Sequence, residues 1–302
     1  MKKHLGAKIA AVGAVLALAL TGCSQQASED SGGEGGGDKG TIKLGYVTGW
    51  TDGESISYLL EDQLGKMGFE VETETFSDAA VLYAGVANGD VDMYPSSWPE
   101  VTHKQYMEEY GDQLEDVGAY YENAVLTIAV PTYMEDINSI EDLKGQADRF
   151  GGEIVGIEPG AGLTKQTQDS MMPEYGLDGE YKLVTSSTAA MLTELGNAIE
   201  KKEDIVVTLW RPFWANNTYD VKDLEDPKGA MGSPEKLHFT ATKGFAEEFP
   251  EAAEYIGKIK LDDAEYGSLE DLVVNKYKDK GDEAVAEWLK SHPDAYEGIV
   301  TE

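Results

Sequence analysis

The chain has 302 residues, with 57 acidic against 24 basic side chains and a net charge of −33. Such a field repels phosphate backbones and excludes nucleic-acid binding by counterion release. One cysteine and four histidines exclude a disulfide framework and a Cys-cluster zinc site, while 41% hydrophobic residues over this length suit about two ordinary domains.

The first residues carry an export pattern. Lys2, Lys3 and Lys8 precede the apolar run Ile9 to Leu20, which has h-region length and is short for a bilayer span. Leu20-Thr21-Gly22-Cys23 resembles the lipobox of bacterial lipoproteins. That resemblance implies cleavage after residue 22 and lipid on Cys23; a plain signal peptide with a chance cysteine is the alternative. Ser24 to Gly40 is rich in Ser, Gly and acids and has no apolar period, so it reads as a tether. The expected order is a signal peptide at 1–22, a lipidated flexible tether at 23–40 and a soluble body. This places the protein outside the cytoplasm, lipid-anchored to the cell membrane. The acidity reads either as a well-solvated surface or as adaptation to salt.

In the body, Thr41 to Val47 alternates as a strand, and Gly49 to Gly53 breaks it. Ile56, Leu59, Leu60 and Leu64 then recur at helical spacing over Glu54 to Met67. Phe69 to Phe76 predicts a strand, Asp78 to Asn88 a helix, and Val91 to Tyr94 a short strand. After Pro131 the pattern restarts. Ile154 to Ile157 is a strand, Pro159 to Gly162 a turn, and Leu163 opens a helix. Tyr181 to Thr185 is a strand, Ser187 to Lys201 a helix, and Asp204 to Leu209 a buried strand. From Gly244 the chain reads as helical and acidic. Two α/β units with mostly parallel strands follow from this order.

Trp50, Trp98 and Trp210 each stand at or just past the carboxyl end of a predicted strand, where open α/β sheets bind ligands. Any one of them alone would more often be packing; three in equivalent places point to a site. Trp288, on a helical pattern, reads as packing. Indole faces attract cations, and a box of them suits a quaternary ammonium, which has no N–H to satisfy. A sugar platform is the competing reading, but it needs more polar side chains than these loops hold. Gly160-Ala161-Gly162-Leu163 opens a helix, whose free N–H groups can seat a carboxylate. His103, five residues past Trp98, can donate a hydrogen bond. Asp52 either caps the following helix or sits near the cation, and capping is the plainer role.

Three segments together carry a resemblance. They are Ser96-Ser97-Trp98-Pro99-Glu100-Val101-Thr102-His103, Gly156-Ile157-Glu158-Pro159-Gly160-Ala161-Gly162, and Ile205 to Trp214 (Ile-Val-Val-Thr-Leu-Trp-Arg-Pro-Phe-Trp). From Thr41 to the C-terminus the chain is similar to the glycine betaine-binding proteins of osmoprotectant ABC importers. The resemblance implies a two-lobed α/β periplasmic-binding-protein fold, type II-like, with a ligand cleft between lobes. The lobes would be 41–130 plus 235–302, and 131–234. It implies that Trp50, Trp98 and Trp210 enclose the trimethylammonium group, and that His103 with the Gly162 and Leu163 amides holds the carboxylate. Asp52 and Trp214 are additional candidates. Arg211 stands where related sequences often have a small polar residue, and Gly49-Trp50-Thr51-Asp52 also resembles the choline-binding branch. Choline, carnitine and proline betaine therefore stay open as ligands.

The expectation is a monomeric solute receptor, not an enzyme, with no cofactor and no metal. It would serve an ABC permease driven by a separate ATPase. No Gly-x-x-x-x-Gly-Lys-Ser/Thr, Gly-x-Ser-x-Gly or His-Glu-x-x-His stands in the chain. A surface interaction lipoprotein is the rival from another class, and it leaves the three tryptophans unexplained.

Overall fold

The computed structural model describes residues 39–278 and 280–301. The export segment, Cys23 and all of the tether except Lys39 and Gly40 lie outside the described residues.

Among the described residues there are nine strands: β1 (Thr41–Val47), β2 (Glu70–Phe76), β3 (Met93–Ser97), β4 (Leu114–Pro131), β5 (Glu153–Val155), β6 (Lys182–Val184), β7 (Val207–Arg211), β8 (Val221–Asp223) and β9 (Glu235–Thr242). The helices that position the site are α1 (Thr51–Lys66), α2 (Ala79–Asn88), α3 (Lys104–Tyr110), α4 (Gly162–Gln166), α5 (Met172–Tyr175), α6 (Thr188–Lys201) and α7 (Ala215–Thr218). The C-terminal part adds α8 (Phe245–Glu248), α9 (Pro250–Ile256), α10 (Asp263–Asp271) and α11 (Gly281–Ser291). π turns at Thr167–Met171 and Leu272–Tyr277 extend α4 and α10.

The strands form one path, β2-β1-β3-β9-β4-β7-β5-β6, with β8 beside the end of β4. β1 runs parallel to β2 and β3, and β5 runs parallel to β6 and β7. β9 and β4 are antiparallel to their neighbours, so the sheet is mixed where the sequence pattern predicts mostly parallel strands. The 18-residue β4 is shared. Leu114 to Ala124 pairs with β9, and Val125 to Ala129 pairs with β7. Its register shifts three times, between Asp116 and Gly118, Ala119 and Tyr121, and Tyr121 and Ala124. Those bulges break the period-two pattern, which is why β4 does not read as a strand in sequence.

Local chemistry explains the other ends. Asp78 caps α2 by accepting from the Ala80 N–H at 2.8 Å, and Gly89 ends it at φ +76°, which suits glycine. The edge strand β2 exposes Glu70, Glu72 and Glu74, charges that discourage pairing with another chain. α1 starts at Thr51, three residues before the predicted start, and β3 starts at Met93, two residues after it. Ile56, Leu59, Leu60 and Leu64 of α1 are fully buried, as the helical spacing predicts. Trp288 is fully buried too and gives its indole N–H to the Glu265 carbonyl and Ser268 Oγ.

Gly45 in β1 faces α2 closely. A Cβ there would lie 2.6 Å from Leu82 Cδ1 and 2.9 Å from Phe76 Cε2. Gly65, on the solvent side of α1, has nothing within 4 Å of that position. Gly45→Val is expected to destabilise by about 1–3 kcal/mol through overpacking. Gly65→Ala should instead stabilise by about 0.5–1 kcal/mol. Urea titration of both variants checks the contrast, and a neutral Gly45→Val would show that the α2 contact is loose.

Candidate functional site

Trp50 is the residue before the first turn of α1, Trp98 directly follows β3, and Trp210 is the fourth residue of β7 rather than the one after it. The fold brings them together. All three line one cavity, with His103, Gly162, Leu163 and Asp52. Leu126, Ile157 and Ala161 add apolar wall, and Thr102 completes the lining. The lining comes from both halves of the sheet, and Trp50, Trp98 and Trp210 are 7%, 3% and 5% exposed as residues, so water has little access to them.

Each wall is held from behind. The Trp98 indole N–H donates to Asp52 Oδ2 at 3.1 Å, and Ser96 Oγ donates to the same oxygen at 2.6 Å. The Trp50 indole N–H donates to Glu158 Oε2 at 3.2 Å. Trp210 stacks on Phe213, with centroids 3.9 Å apart. Trp214 does not line the cavity; it packs edge-on against Phe213 at 5.8 Å, one layer behind.

His103 is buried, and desolvation pulls its pKa down to about 3, so the ring is neutral at physiological pH. The Trp98 backbone N–H donates to His103 Nδ1 at 3.1 Å. That bond fixes Nδ1 as the acceptor and leaves the proton on Nε2. Nε2 is buried and has no protein partner. A buried donor without an acceptor costs about 1–3 kcal/mol. Beside it, Gly162 and Leu163 open α4, so their N–H groups have no partner inside the helix. A Cβ on Gly162 would fall 1.8 Å from the Thr102 carbonyl oxygen, so only glycine lets these two loops meet. Thr102 is itself fixed, its N–H donating to Glu235 at 3.0 Å.

Asp52 does not act through its side chain as the cap of α1; that residue is Trp50, which makes no side-chain cap bond. Asp52 sits one residue inside α1, and Ser96 and Trp98 draw its carboxylate toward the cavity. Burial raises its pKa, and those two donated bonds oppose the rise. Glu270 lies behind it, fully buried, accepting from Thr51 Oγ at 2.5 Å and from the Trp214 backbone N–H. Desolvation, with the Asp52 charge adding to it, pushes Glu270 up to about 8. Sequence reasoning missed Glu158, Phe213 and Glu270. The first two stand inside the quoted segments but are not tryptophans or donors, and Glu270 comes from a helix far along the chain. Among the described residues, no group of three or more His, Cys, Asp or Glu could hold a metal ion, and no helix is long and apolar enough to cross a membrane.

The raised Glu270 has a consequence with a definite sign. Its folded pKa lies above the unfolded value, so the folded state keeps a proton that the unfolded state loses between about pH 4.5 and 8. Stability therefore falls as pH rises through that window, by at most about 1.4 kcal/mol per pH unit. Glu270→Gln should remove this slope and gain on the wild type from pH 5 to pH 8. Unfolding curves at pH 5, 6.5 and 8 measure it; parallel curves for the two proteins would rule the buried acid out as the cause.

The model of a family described as the substrate binding domain of ABC-type glycine betaine transport system matches residues 40–291. The glycine betaine/carnitine transport binding protein of Listeria monocytogenes is 36% identical over 151 residues; the match spans 50% of this chain and only 50% of that protein's length. A Borrelia burgdorferi glycine betaine/L-proline ABC transporter binding protein superimposes with TM-score 0.79 at 32% identity, covering 87% of this chain and 97% of that one. A lactococcal relative, solved in its closed-liganded conformation with glycine betaine, gives TM-score 0.77 at 34% identity, covering 84% and 97%.

Proposed function

We propose, for a chain that belongs to the family of substrate-binding domains of ABC-type glycine betaine transport systems, that its cavity captures glycine betaine for import. The family is one of transport substrate-binding proteins, not enzymes. The observation that carries the reading is the unpartnered Nε2–H of His103 inside a cavity walled by three indoles. An apolar box facing a donor asks for a ligand that is cationic and methyl-covered at one end and anionic at the other.

In this reading the Trp50, Trp98 and Trp210 faces hold the trimethylammonium group, each worth about 2 kcal/mol or more when desolvated. His103 and the Gly162 and Leu163 N–H groups hold the carboxylate. The lobes are 41–130 with 235–302, and 131–234, and they close on the ligand because only the closed form makes all of these contacts. The receptor is a monomer, held outside the membrane by lipid on Cys23, and it delivers its ligand to a permease served by a separate ATPase. Asp52 also lines the cavity and favours a second reading, a choline receptor, in which its carboxylate takes the hydroxyl. Against that, Oδ2 already accepts from Trp98 and Ser96, and choline's single hydroxyl cannot offer two anionic acceptors to His103 and the Gly162 and Leu163 N–H groups.

Calorimetric titration tests the site. Trp50→Ala, Trp98→Ala and Trp210→Ala should each lose about 2 kcal/mol or more of betaine affinity, while Trp288→Ala should keep it. Choline should bind at least about tenfold more weakly than glycine betaine, and His103→Ala should narrow that gap. Tighter choline binding by the wild type would transfer the site to the second reading.

The anchor has its own test. Cys23→Ala should move the protein from the membrane pellet to the soluble fraction with betaine binding intact, since a lipid and not a helix would hold it. Retention in the pellet would defeat the lipid anchor.

A further inference from the structure

Three hydrogen bonds tie the loop at Glu158–Gly160 to the first lobe. The Gly160 N–H donates to Asp78 Oδ2 at 2.9 Å, and the Tyr106 hydroxyl donates to the Gly160 carbonyl at 2.6 Å. The third is different in kind. The Trp50 indole N–H donates to Glu158 Oε2 at 3.2 Å, so a wall of the cavity is held from the opposite lobe.

Glu158 is itself anchored. It is 6% exposed, and its carboxylate sits at the start of α6, a 14-residue helix. Oε1 accepts the Thr188 N–H at 2.8 Å, and Oε2 accepts the Thr188 hydroxyl at 2.9 Å. The Glu158 carbonyl accepts from Thr164 Oγ1 at 2.8 Å, which fixes the same residue to α4. Gly49, next to Trp50, lies against this anchor: a Cβ on it would stand 3.7 Å from the Thr188 Cβ. On the other side, the Trp50 ring lies parallel to the His103 ring, 6° apart in tilt with centroids at 6.0 Å. A swing of the indole would thus disturb both the cationic and the anionic ends of the site.

We propose that Glu158 is a positioning residue that latches the site shut: its carboxylate, fixed on the Thr188 end of α6, takes the Trp50 indole N–H and sets that wall in place only when the lobes close. It does not line the cavity. The latch rests on the betaine reading of the cavity. It acts on release rather than capture, because the bond exists only after closure. When the lobes part, the indole N–H and the Oε2 lone pair return to water, so the latch adds to the barrier for opening.

Glu158→Gln separates the latch from the fold. An amide has one acceptor oxygen, while the N–H groups of Thr188 and Trp50 reach the two different carboxylate oxygens. The oxygen can stay on the Thr188 N–H and the amide nitrogen can face the Thr188 hydroxyl. The indole N–H then meets an N–H group and loses its acceptor. Stopped-flow tryptophan fluorescence with glycine betaine reads the rates on the wild type, Glu158→Gln, Trp50→Phe and the double variant. The dissociation rate of Glu158→Gln should rise about tenfold or more with the association rate within about twofold, and its thermal midpoint without ligand should stay within about 2 °C. In the Trp50→Phe background, where no indole N–H exists, the same substitution should change dissociation by less than about threefold. An equal factor in both backgrounds, or a loss confined to association, overturns the latch while leaving the betaine reading intact. A wild-type protein that binds no quaternary ammonium compound overturns both.

Discussion

A tryptophan can be buried in a dry site only if its indole N–H finds an acceptor. Much of the structure around the cavity follows from that need. Trp98 takes a carboxylate oxygen of Asp52, and Trp50 takes one of Glu158. A buried carboxylate needs donors in turn. Asp52 therefore recruits Ser96, whose hydroxyl also meets the Tyr120 hydroxyl at 2.9 Å, and Glu158 recruits both polar groups of Thr188. Trp50 and Trp98 have their polar edges answered behind the cavity they line, while Trp210 is held by stacking on Phe213. Trp288, outside the site, meets the same requirement with a carbonyl and a serine, and there the result is ordinary core.

The placement of charge divides along the same line. The chain holds 57 acids, and solvent carries most of them, as on β2. The few inside are handled one by one. Glu235 is surrounded by the N–H groups of Val101 and Thr102, and Glu270 holds its proton at neutral pH. His103 stays neutral for the same reason, since nothing in its surroundings compensates a buried imidazolium. The cavity thus combines an acidic side chain at Asp52 with an uncharged donor at His103.

The candidate site was more legible in the sequence than the frame that carries it. Trp50, Trp98, Trp210, His103, Gly162 and Leu163 were readable because each stands beside a strand end or a glycine turn, and the cavity gathers all six. The helices with regular apolar spacing, α1 and α6, were readable for the same local reason. β4 and β9 were not. Their pairing is non-local, and the bulges of β4 break its alternation. Asp52 was readable either as a cap or as a group near the cation; Trp50 takes the cap position, and Asp52 lines the cavity. Only the arrival of Trp98 and Ser96 from another strand redirects its carboxylate. Glu158 lay in plain view within a quoted segment, but its value depends on Trp50, 108 residues away.

The strand β4 belongs to both halves of the sheet at once. Leu114 to Ala124 completes the part that carries Trp50 and Trp98, and Val125 to Ala129 completes the part that carries Trp210. Each half therefore draws part of its backbone pairing from the same unbroken strand. A protein joined only by slack linkers could be cut into two working pieces. Here a cut anywhere in 114–131 would strip one half of a ladder it needs. One unbroken strand thus stitches the two parts of the sheet into a single backbone ladder.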